Sequence, residues 1–250
     1  MLVSTVEQAL TELVEQHRVL YEGPTIEAKL SPLIRIGLHT NLTQGDVLHI
    51  LRTSRSVFFD THVEVVSGHH TATYIRFDSI ARFPELIRKV AGDMAGWIQQ
   101  TFRHNPITGL VATSSAAEQL AEGIAAELRG TMRVNVALTS YSCETGRIGT
   151  DVAVGAIKSD QRFLALNDVT TRGNCVGKLG KVITDNGGVL AGMLVFARRD
   201  SGQFPLMNEL VARHPFYYTT DLDMPQWEPA HCPLCQANKT LISWRHLPAL

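Results

Sequence analysis

A short stretch in the second half of the chain joins an apolar strand to residues that could bind a phosphate. Residues 163–175 read FLALNDVTTRGNC, so apolar side chains give way to Asn167 and Asp168 and then to a turn rich in hydroxyl groups. A helix is predicted to follow, from about residue 176 to residue 186. Helix N-termini attract phosphate through their free N–H groups and their dipole. Gly173 would let the backbone approach that phosphate closely.

The polar pair before this turn suits the hydroxyl groups of a sugar. Ligands of open parallel sheets bind beyond the carboxyl ends of the strands, which is where Asn167 and Asp168 are predicted to lie. The pair could therefore hydrogen-bond to the vicinal hydroxyls of a ribose whose 5-phosphate occupies the turn. A polar strand end that only caps the following helix remains the alternative.

The second half of the chain predicts the elements that would position this turn. Apolar strands alternate with helices from residue 109 onward, which indicates an α/β fold with a parallel sheet flanked by helices. The predicted strands span residues 109–115, 133–138, 162–168 and 189–199, and a predicted helix spans residues 116–128.

The chain is predicted to have three parts. We expect an N-terminal helical extension with an α+β hood at residues 1–104, an α/β core at residues 105–222 and a short tail with two cysteines at residues 223–250. Before the core, helices are predicted at residues 2–20, after Thr43 and at residues 84–102, and two strands are predicted within residues 57–77.

Charge and composition exclude several classes of protein. The chain has 250 residues, 44% of them hydrophobic, and a net charge of −1, which gives no electrostatic footprint for nucleic acid. The first residues lack the basic and apolar segments of a signal peptide, and no run approaches the roughly 20 apolar residues of a spanning helix. We therefore expect no membrane or nucleic-acid partner and a cytoplasmic location, where the four cysteines stay reduced.

Three segments in order resemble type I phosphoribosyltransferases of the orotate branch. LALNDVTTRGNC (164–175) resembles the motif with which that family binds phosphoribosyl pyrophosphate (PRPP). VEVVSGHHTATYIRFD (63–78) resembles the hood segment of the orotate branch, and GLVATSSAAEQLAEGIAAEL (109–128) resembles its strand, pyrophosphate loop and Ala-rich helix. VLAGMLVFARRD (189–200) lies where the family has its next strand, which ends in a basic-acidic turn.

The resemblance implies an activity and a set of ligands. A type I phosphoribosyltransferase of nucleotide metabolism would transfer 5-phosphoribosyl from Mg²⁺-bound PRPP to a nitrogenous acceptor, through an oxocarbenium-like state that the protein positions and stabilises. It would work as a homodimer. Asn167 and Asp168 would hold the ribose. The donor-binding residues would be Val169, Thr170, Thr171, Arg172, Gly173, Asn174 and Cys175 around the 5-phosphate and Ser114, Ser115 and Ala116 at the pyrophosphate.

The sequence departs from the orotate branch in the donor motif and at positions that contact the acceptor. Asn167 replaces the first acid of the donor motif, and Val66 stands where the orotate enzymes have a Lys just before the Ser-Gly pair. Gly177, followed by Lys178, stands near the position of an Arg that helps to hold orotate. These differences argue against orotate as the acceptor.

The flexible loop that covers the leaving pyrophosphate in the orotate enzymes also differs here. Residues 139–151 lack its Lys and His and carry Arg147 instead. A guanidinium binds phosphate well, so Arg147 is a candidate catalytic residue, and a solvated surface arginine is the alternative. Two hypotheses follow: a phosphoribosyltransferase with another acceptor, or a non-catalytic protein that senses PRPP or a nucleotide.

A pair of cysteines near the end has the spacing of a zinc site. Cys232 and Cys235 form a C-x₂-C turn that suits one tetrahedral Zn²⁺, which needs two further ligands. His231 and His246 are candidates in sequence, and the hood's His69-His70 pair could reach the cysteines in space. A structural zinc, a redox pair and two unliganded thiols all remain open.

Overall fold

The computed structural model describes residues 2–199, 205–248 and 250. Asp200, the acidic residue expected after the strand at 189–199, lies outside the described residues. The helices are α1 (Leu2–Glu22), α2 (Ile26–Leu30), α3 (Gln44–Ser54), α4 (Phe77–Ala81), α5 (Pro84–Thr101), α6 (Ala116–Leu128), α7 (Asn174–Asp185), α8 (Pro205–Arg213) and α9 (Pro233–Gln236). The strands are β1 (Ile34–Ile36), β2 (Val57–Phe58), β3 (Val63–Glu64), β4 (His70–Thr71), β5 (Tyr74–Ile75), β6 (Gly109–Thr113), β7 (Asn135–Ser142), β8 (Arg147–Val154), β9 (Arg162–Thr170), β10 (Val189–Arg199), β11 (Phe216–Leu222), β12 (Gln226–Trp227) and β13 (Ile242–Ser243).

A seven-stranded sheet organises the molecule. Its order is β1-β11-β10-β9-β6-β7-β8, and the five inner strands run parallel. One antiparallel strand closes each edge, β1 on β11 and β8 on β7. The predicted α/β class with a parallel sheet is therefore confirmed.

The core lies on both faces of this sheet. On one face α5 and α6 pack against the strands, and buried Leu120, Ile124 and Leu128 form the inner stripe of α6. On the other face α7 packs against β9 and β10 with Leu179 and Ile183 fully buried. Because both faces are covered, the carboxyl edge of the strands is the accessible place for a ligand.

Several predicted boundaries of strands and loops were wrong, because hydrogen bonding between strands extends or shortens the elements. β9 continues to Thr170, two residues past the predicted end, because its ladder with β10 extends to that residue. The predicted flexible loop at 139–151 is mostly a β-hairpin. The strand β7 extends beyond the end of its parallel neighbour β6 and pairs there with β8. The predicted pair of hood strands within 57–77 is four short strands, β2 to β5.

The hood and the tail share a small sheet. Its order is β12-β4-β3-β13, so tail strands flank the hood hairpin β3–β4 on both sides. This pairing brings together segments that lie more than 150 residues apart along the chain. The three-part division of the chain stays a prediction. No helix among the described residues combines the length and apolar character that crossing a membrane requires.

Candidate active site

A cavity of about 470 Å³ lies at the carboxyl edge of the large sheet. The ends of four parallel strands reach it: Thr113 from β6, Tyr141 from β7, Asn167 to Thr170 from β9 and Arg199 from β10. The hood closes the opposite side. The sheet therefore gathers the predicted polar strand ends around one space, as expected for an open parallel sheet.

The predicted phosphate turn forms one wall of this cavity. Between β9 and α7 the chain passes through Thr171, Arg172 and Gly173. Gly173 has φ +82° and precedes the first turn of α7. A β-carbon there would lie 3.1 Å from Leu210 Cδ1 and 3.2 Å from Met207 Sδ of α8, so both the dihedral angle and the space favour glycine.

The hydroxyl of Thr170 is buried at the base of this turn. Its Oγ1 has no hydrogen-bond partner among the described residues, and the residue is 2% exposed. Burying a hydroxyl without a hydrogen-bond partner costs folding free energy. This hydroxyl is therefore available to hydrogen-bond to a ligand. Together with the N–H groups at the start of α7, it suits an anion.

Asp168 is the ionisable centre of the site. Burial, with a smaller contribution from the Asp78 carboxylate, raises the pKa of Asp168 to about 6. The backbone N–H of Val169 donates to Asp168 Oδ1 at 2.7 Å and opposes part of that shift. Asn167, the neighbouring departure from the family motif, is buried and donates from Nδ2 to the Val169 carbonyl at 2.9 Å.

The remaining donor-loop residues are distributed around the turn. Cys175 lines the cavity, and burial raises its thiol pKa to about 11, so the thiol is neutral at physiological pH. Val169 and Asn174 also line the cavity. Arg172 lines it too, with Nη1 3.3 Å from His69 Nε2, which connects the turn to the hood.

The predicted pyrophosphate loop is only partly at the cavity. Ser115 lines it, caps α6 by accepting from the Ala117 N–H at 3.3 Å, and lies 2.8 Å from Thr113 Oγ1 through its own hydroxyl. Ser114 is exposed, Ala116 is buried, and neither lines the cavity. Thr113, which the sequence reasoning missed, takes their place at the wall.

Comparison with known proteins gives consistent relatives, although no protein-family model matches the chain. Orotate phosphoribosyltransferase of Chlorobium phaeobacteroides is 24% identical over 199 residues, which cover 78% of this chain and 92% of the relative. The same enzyme of Thermus thermophilus is 25% identical over 192 residues, 76% of this chain and 95% of the relative.

Solved structures agree on the architecture. Orotate phosphoribosyltransferase from Aeropyrum pernix has a TM-score of 0.51 and 19% identity over 69% of this chain and 91% of its own. A phosphoribosyltransferase from Corynebacterium diphtheriae has a TM-score of 0.52 and 12% identity over 72% of this chain and 96% of its own. The chain has the type I phosphoribosyltransferase fold. Its predicted resemblance to the orotate branch is confirmed, and the similarity supports the predicted enzyme class with the acceptor left open.

The phosphoribosyltransferase fold here carries a hairpin over its site. The turn between β7 and β8 (residues 143–146) lies against the hood and the tail. Gly146 is so close to both that an added β-carbon would lie 2.7 Å from Val66 Cγ1 and 3.3 Å from Trp244. Arg245 Nη1 donates to the Glu144 carbonyl at 2.6 Å and holds the same turn. Cys143, Gly146 and Ile148 thus line the cavity.

Arg147 does not share that position. It is exposed at the start of β8 and is not among the residues that line the cavity. Lys178, in contrast, is exposed on α7 and does line it. Among the described residues, the structure therefore brings Asp168 and Asn167 into one site with the phosphate turn and leaves Arg147 outside it.

Sequence reasoning missed several residues of the site. Arg199 is buried at the end of β10, donates from Nε to Thr171 Oγ1 at 3.4 Å and lies 5.6 Å above the Tyr74 ring. Burial raises the pKa of Tyr74 to about 12, so its hydroxyl is a neutral donor. The position of Arg199 at the end of a predicted strand (189–199) was the sequence signal that could have identified it. Tyr74 lies in the segment 63–78 that resembles the family's hood, whereas no local pattern marks Trp244.

The cysteine pair lies outside this cavity, against the hood. Cys232 and Cys235 face His62 and His70, and their four ligand atoms lie within 4.8 Å of one another. His231 and His246, the ligands proposed from sequence, are exposed and are not part of this cluster. Of the hood pair His69-His70 that the sequence also offered, His70 belongs to the cluster. The hood, and not the tail, supplies both histidines.

Proposed function

We propose that this protein transfers 5-phosphoribosyl from PRPP to a nitrogenous acceptor other than orotate. The observation that carries the proposal is the wall formed by Asp168, Thr170 and Asn174, the first residue of α7. A buried unpartnered hydroxyl, a helix N-terminus and a half-buried carboxylate face one cavity. That set matches a 5-phosphate next to ribose hydroxyls.

The reaction follows from what these groups can hold. The bond between the anomeric carbon and the pyrophosphate oxygen breaks, and pyrophosphate leaves with the bonding electrons. The acceptor nitrogen forms a bond to the anomeric carbon and loses its proton to solvent. The ribose ring carries positive charge after the first bond has weakened and before the second is complete. The ionised Asp168 carboxylate stabilises that charge through the ribose hydroxyls. The phosphate turn fixes the position of the ring, so catalysis rests on positioning and electrostatics.

Mg²⁺ fits the acidic side of the same cavity. Asp168 and Asp78 both line it, and their repulsion is one cause of the raised pKa of Asp168. Mg²⁺ prefers oxygen ligands and is usually held by one or two carboxylates together with substrate phosphates. Here Asp168 and Asp78 would hold the ion, which would neutralise the charge of the leaving pyrophosphate.

The acceptor side of the cavity favours a base without a carboxylate. Val65, Val66 and Trp244 give it an apolar surface where the orotate branch has a Lys. Of the cations that line the cavity, the two beside this apolar surface are already engaged, and Lys178 lines it from α7. Arg76 is 3.5 Å from Asp78, and Arg245 is exposed and bonded to the hairpin turn.

The test separates donor binding from transfer. Calorimetric titration with PRPP and Mg²⁺ should give micromolar binding for the wild type and none for Asp168→Ala. Asp185→Ala, at the far end of α7, is the matched control and should bind normally. Pyrophosphate release is then measured with a panel of nitrogenous bases that includes orotate, and we expect release with a base other than orotate. Absence of donor binding, or release with orotate alone, contradicts the proposal.

The exposed position of Arg147 favours a second candidate, a protein that senses PRPP or a nucleotide without turnover. It predicts the same Asp168-dependent binding and no pyrophosphate release across the whole panel. Release with any base eliminates it. A homodimer, a role in nucleotide metabolism and a cytoplasmic location are further predictions from the resemblance, and sedimentation of the purified protein tests the first.

A further inference from the structure

Four side chains from the hood and the tail converge on one buried point. Cys235 Sγ lies 3.3 Å from His70 Nδ1 and 3.6 Å from His62 Nε2, and Cys232 Sγ lies 3.5 Å from His62 Nε2. The two imidazole nitrogens are 3.0 Å apart. His62, His70 and Cys232 are buried, and Cys235 is partly exposed.

The three sulfur–nitrogen separations match the coordination shell of one metal ion, and the two nitrogens are slightly closer together than in such a shell. Zinc bonds of about 2.0 to 2.3 Å in a tetrahedron place neighbouring ligand atoms roughly 3.3 to 3.8 Å apart. A His₂Cys₂ set with tetrahedral spacing favours Zn²⁺ over the harder cations, which prefer oxygen. Four protein ligands also leave no open position, so such a site is structural and not catalytic.

One histidine is oriented as metal ligands usually are. His62 Nδ1 lies 2.8 Å from the Lys239 carbonyl, so this nitrogen carries the proton and leaves Nε2 as the unprotonated ligand atom. Such a hydrogen bond to the second ring nitrogen fixes the tautomer and the direction of the ring. Lys239 belongs to the same tail that supplies both cysteines.

We propose that His62, His70, Cys232 and Cys235 bind one structural Zn²⁺ that joins the tail to the hood. The site is independent of the proposed transfer reaction. It lies beside the small sheet in which β13 pairs with β3, and the Ile242 N–H donates to the His62 carbonyl at 2.8 Å. The metal thereby fixes the segment that presents Trp244 and Arg245 to the hairpin turn over the cavity.

Metal analysis of the purified, reduced full-length protein is the direct test. We expect about one zinc per chain in the wild type, and loss of it in Cys235→Ser and His70→Ala. Cys143→Ser and His69→Ala are matched controls because Cys143 is exposed and His69 neighbours the cluster without belonging to it. Both controls should keep their zinc. Zinc retained in both ligand variants overturns the proposal.

A second measurement guards against variants that fail to fold. Wild-type protein is stripped with a chelator and reloaded with Co²⁺, whose visible spectrum reports tetrahedral coordination and thiolate ligation. We expect a tetrahedral spectrum with a sulfur-to-cobalt band at one equivalent. Wild-type protein with no zinc and no such spectrum, or with a Cys232–Cys235 disulfide in non-reducing mass spectrometry, contradicts the site.

Discussion

The phosphate turn and the His/Cys cluster are two polar sites built in opposite ways. The turn takes its residues from one continuous stretch, 167–175, at the point where β9 passes into α7. The cluster takes His62 and His70 from the hood and its cysteines from the tail, 170 residues away along the chain from His62 to Cys232. One site is therefore encoded locally, and the other exists only once distant strands have paired.

The two sites also differ in what they leave unsatisfied. The turn keeps an unpartnered hydroxyl on Thr170 and a carboxylate on Asp168 whose ionisation is costly, so it is open to a ligand. The cluster turns its four ligand atoms toward one another, so an ion would complete it and close it to substrate. Disturbing the first should alter ligand binding, and disturbing the second should alter stability and the position of the tail.

The largest effect is expected from metal removal. Chelation should lower the free energy of unfolding by about 4 kcal/mol, the linkage contribution of a ligand present at 1,000 times its dissociation constant. For a chain of this size that corresponds to a fall in Tm of roughly 10 °C. Scanning calorimetry before and after chelation measures it. Zinc should restore the Tm and Mg²⁺ should not. An unchanged Tm would mean that the cluster holds no stabilising metal ion.

The second effect is a pH-dependent gain in stability from Asp168→Asn. The folded chain holds the Asp168 proton up to about pH 6, whereas the carboxyl of an exposed aspartate has its ordinary pKa near 3.8. The Asp168 contribution to stability is thus fully present below about pH 4 and is lost as the pH rises to about 6. Asn cannot ionise and still accepts from the Val169 N–H. The variant should exceed the wild type by about 2 to 3 kcal/mol at pH 8.

Urea unfolding of the donor-free protein at pH 8 and near pH 4 measures this difference. The gain should vanish at the lower pH. Asp185→Asn is the control, because Asp185 is exposed and paired with Lys181 at 2.8 Å, and it should change stability by less than about 1 kcal/mol at either pH. A gain in the Asp168 variant that is the same at both pH values would exclude the raised pKa as its cause.

The third effect concerns the backbone of the turn. Gly173→Ala should cost about 1 to 2 kcal/mol, because alanine is disfavoured at positive φ and its β-carbon would meet Leu210 and Met207. Gly177→Ala is the matched control inside α7. Its β-carbon would have an ordinary 3.6 Å contact with Leu210, so a gain of about 0.5 to 1 kcal/mol is expected. Denaturant midpoints compare the pair, and equal costs at both positions would refute the account.

The smallest effect is expected from Arg147→Ala. Since this side chain is exposed and does not line the cavity, the dissociation constant of PRPP should change by less than about twofold, within the range of surface substitutions. Calorimetry of the variant beside the wild type measures it. A tenfold loss would mean that the hairpin moves to bring Arg147 onto the donor.

The α/β class and the polar turn between β9 and α7 could be predicted from the sequence, because both depend on local signals. Apolar strands, a polar strand end and a glycine before a helix are all read within about a dozen residues. Even there, the end of β9 was misplaced by two residues, since its last hydrogen bonds come from β10 and not from its own residues.

Which side chains share a site depends on tertiary packing. Val66, Trp244 and Arg199 meet the turn from three separate elements, and no spacing along the chain relates them. The cysteine pair could be recognised from its spacing, whereas its histidines depend on β3, β4 and β13 pairing in one sheet. Local geometry is fixed by neighbouring residues, but contacts between distant segments are fixed by the packing that closes the whole fold.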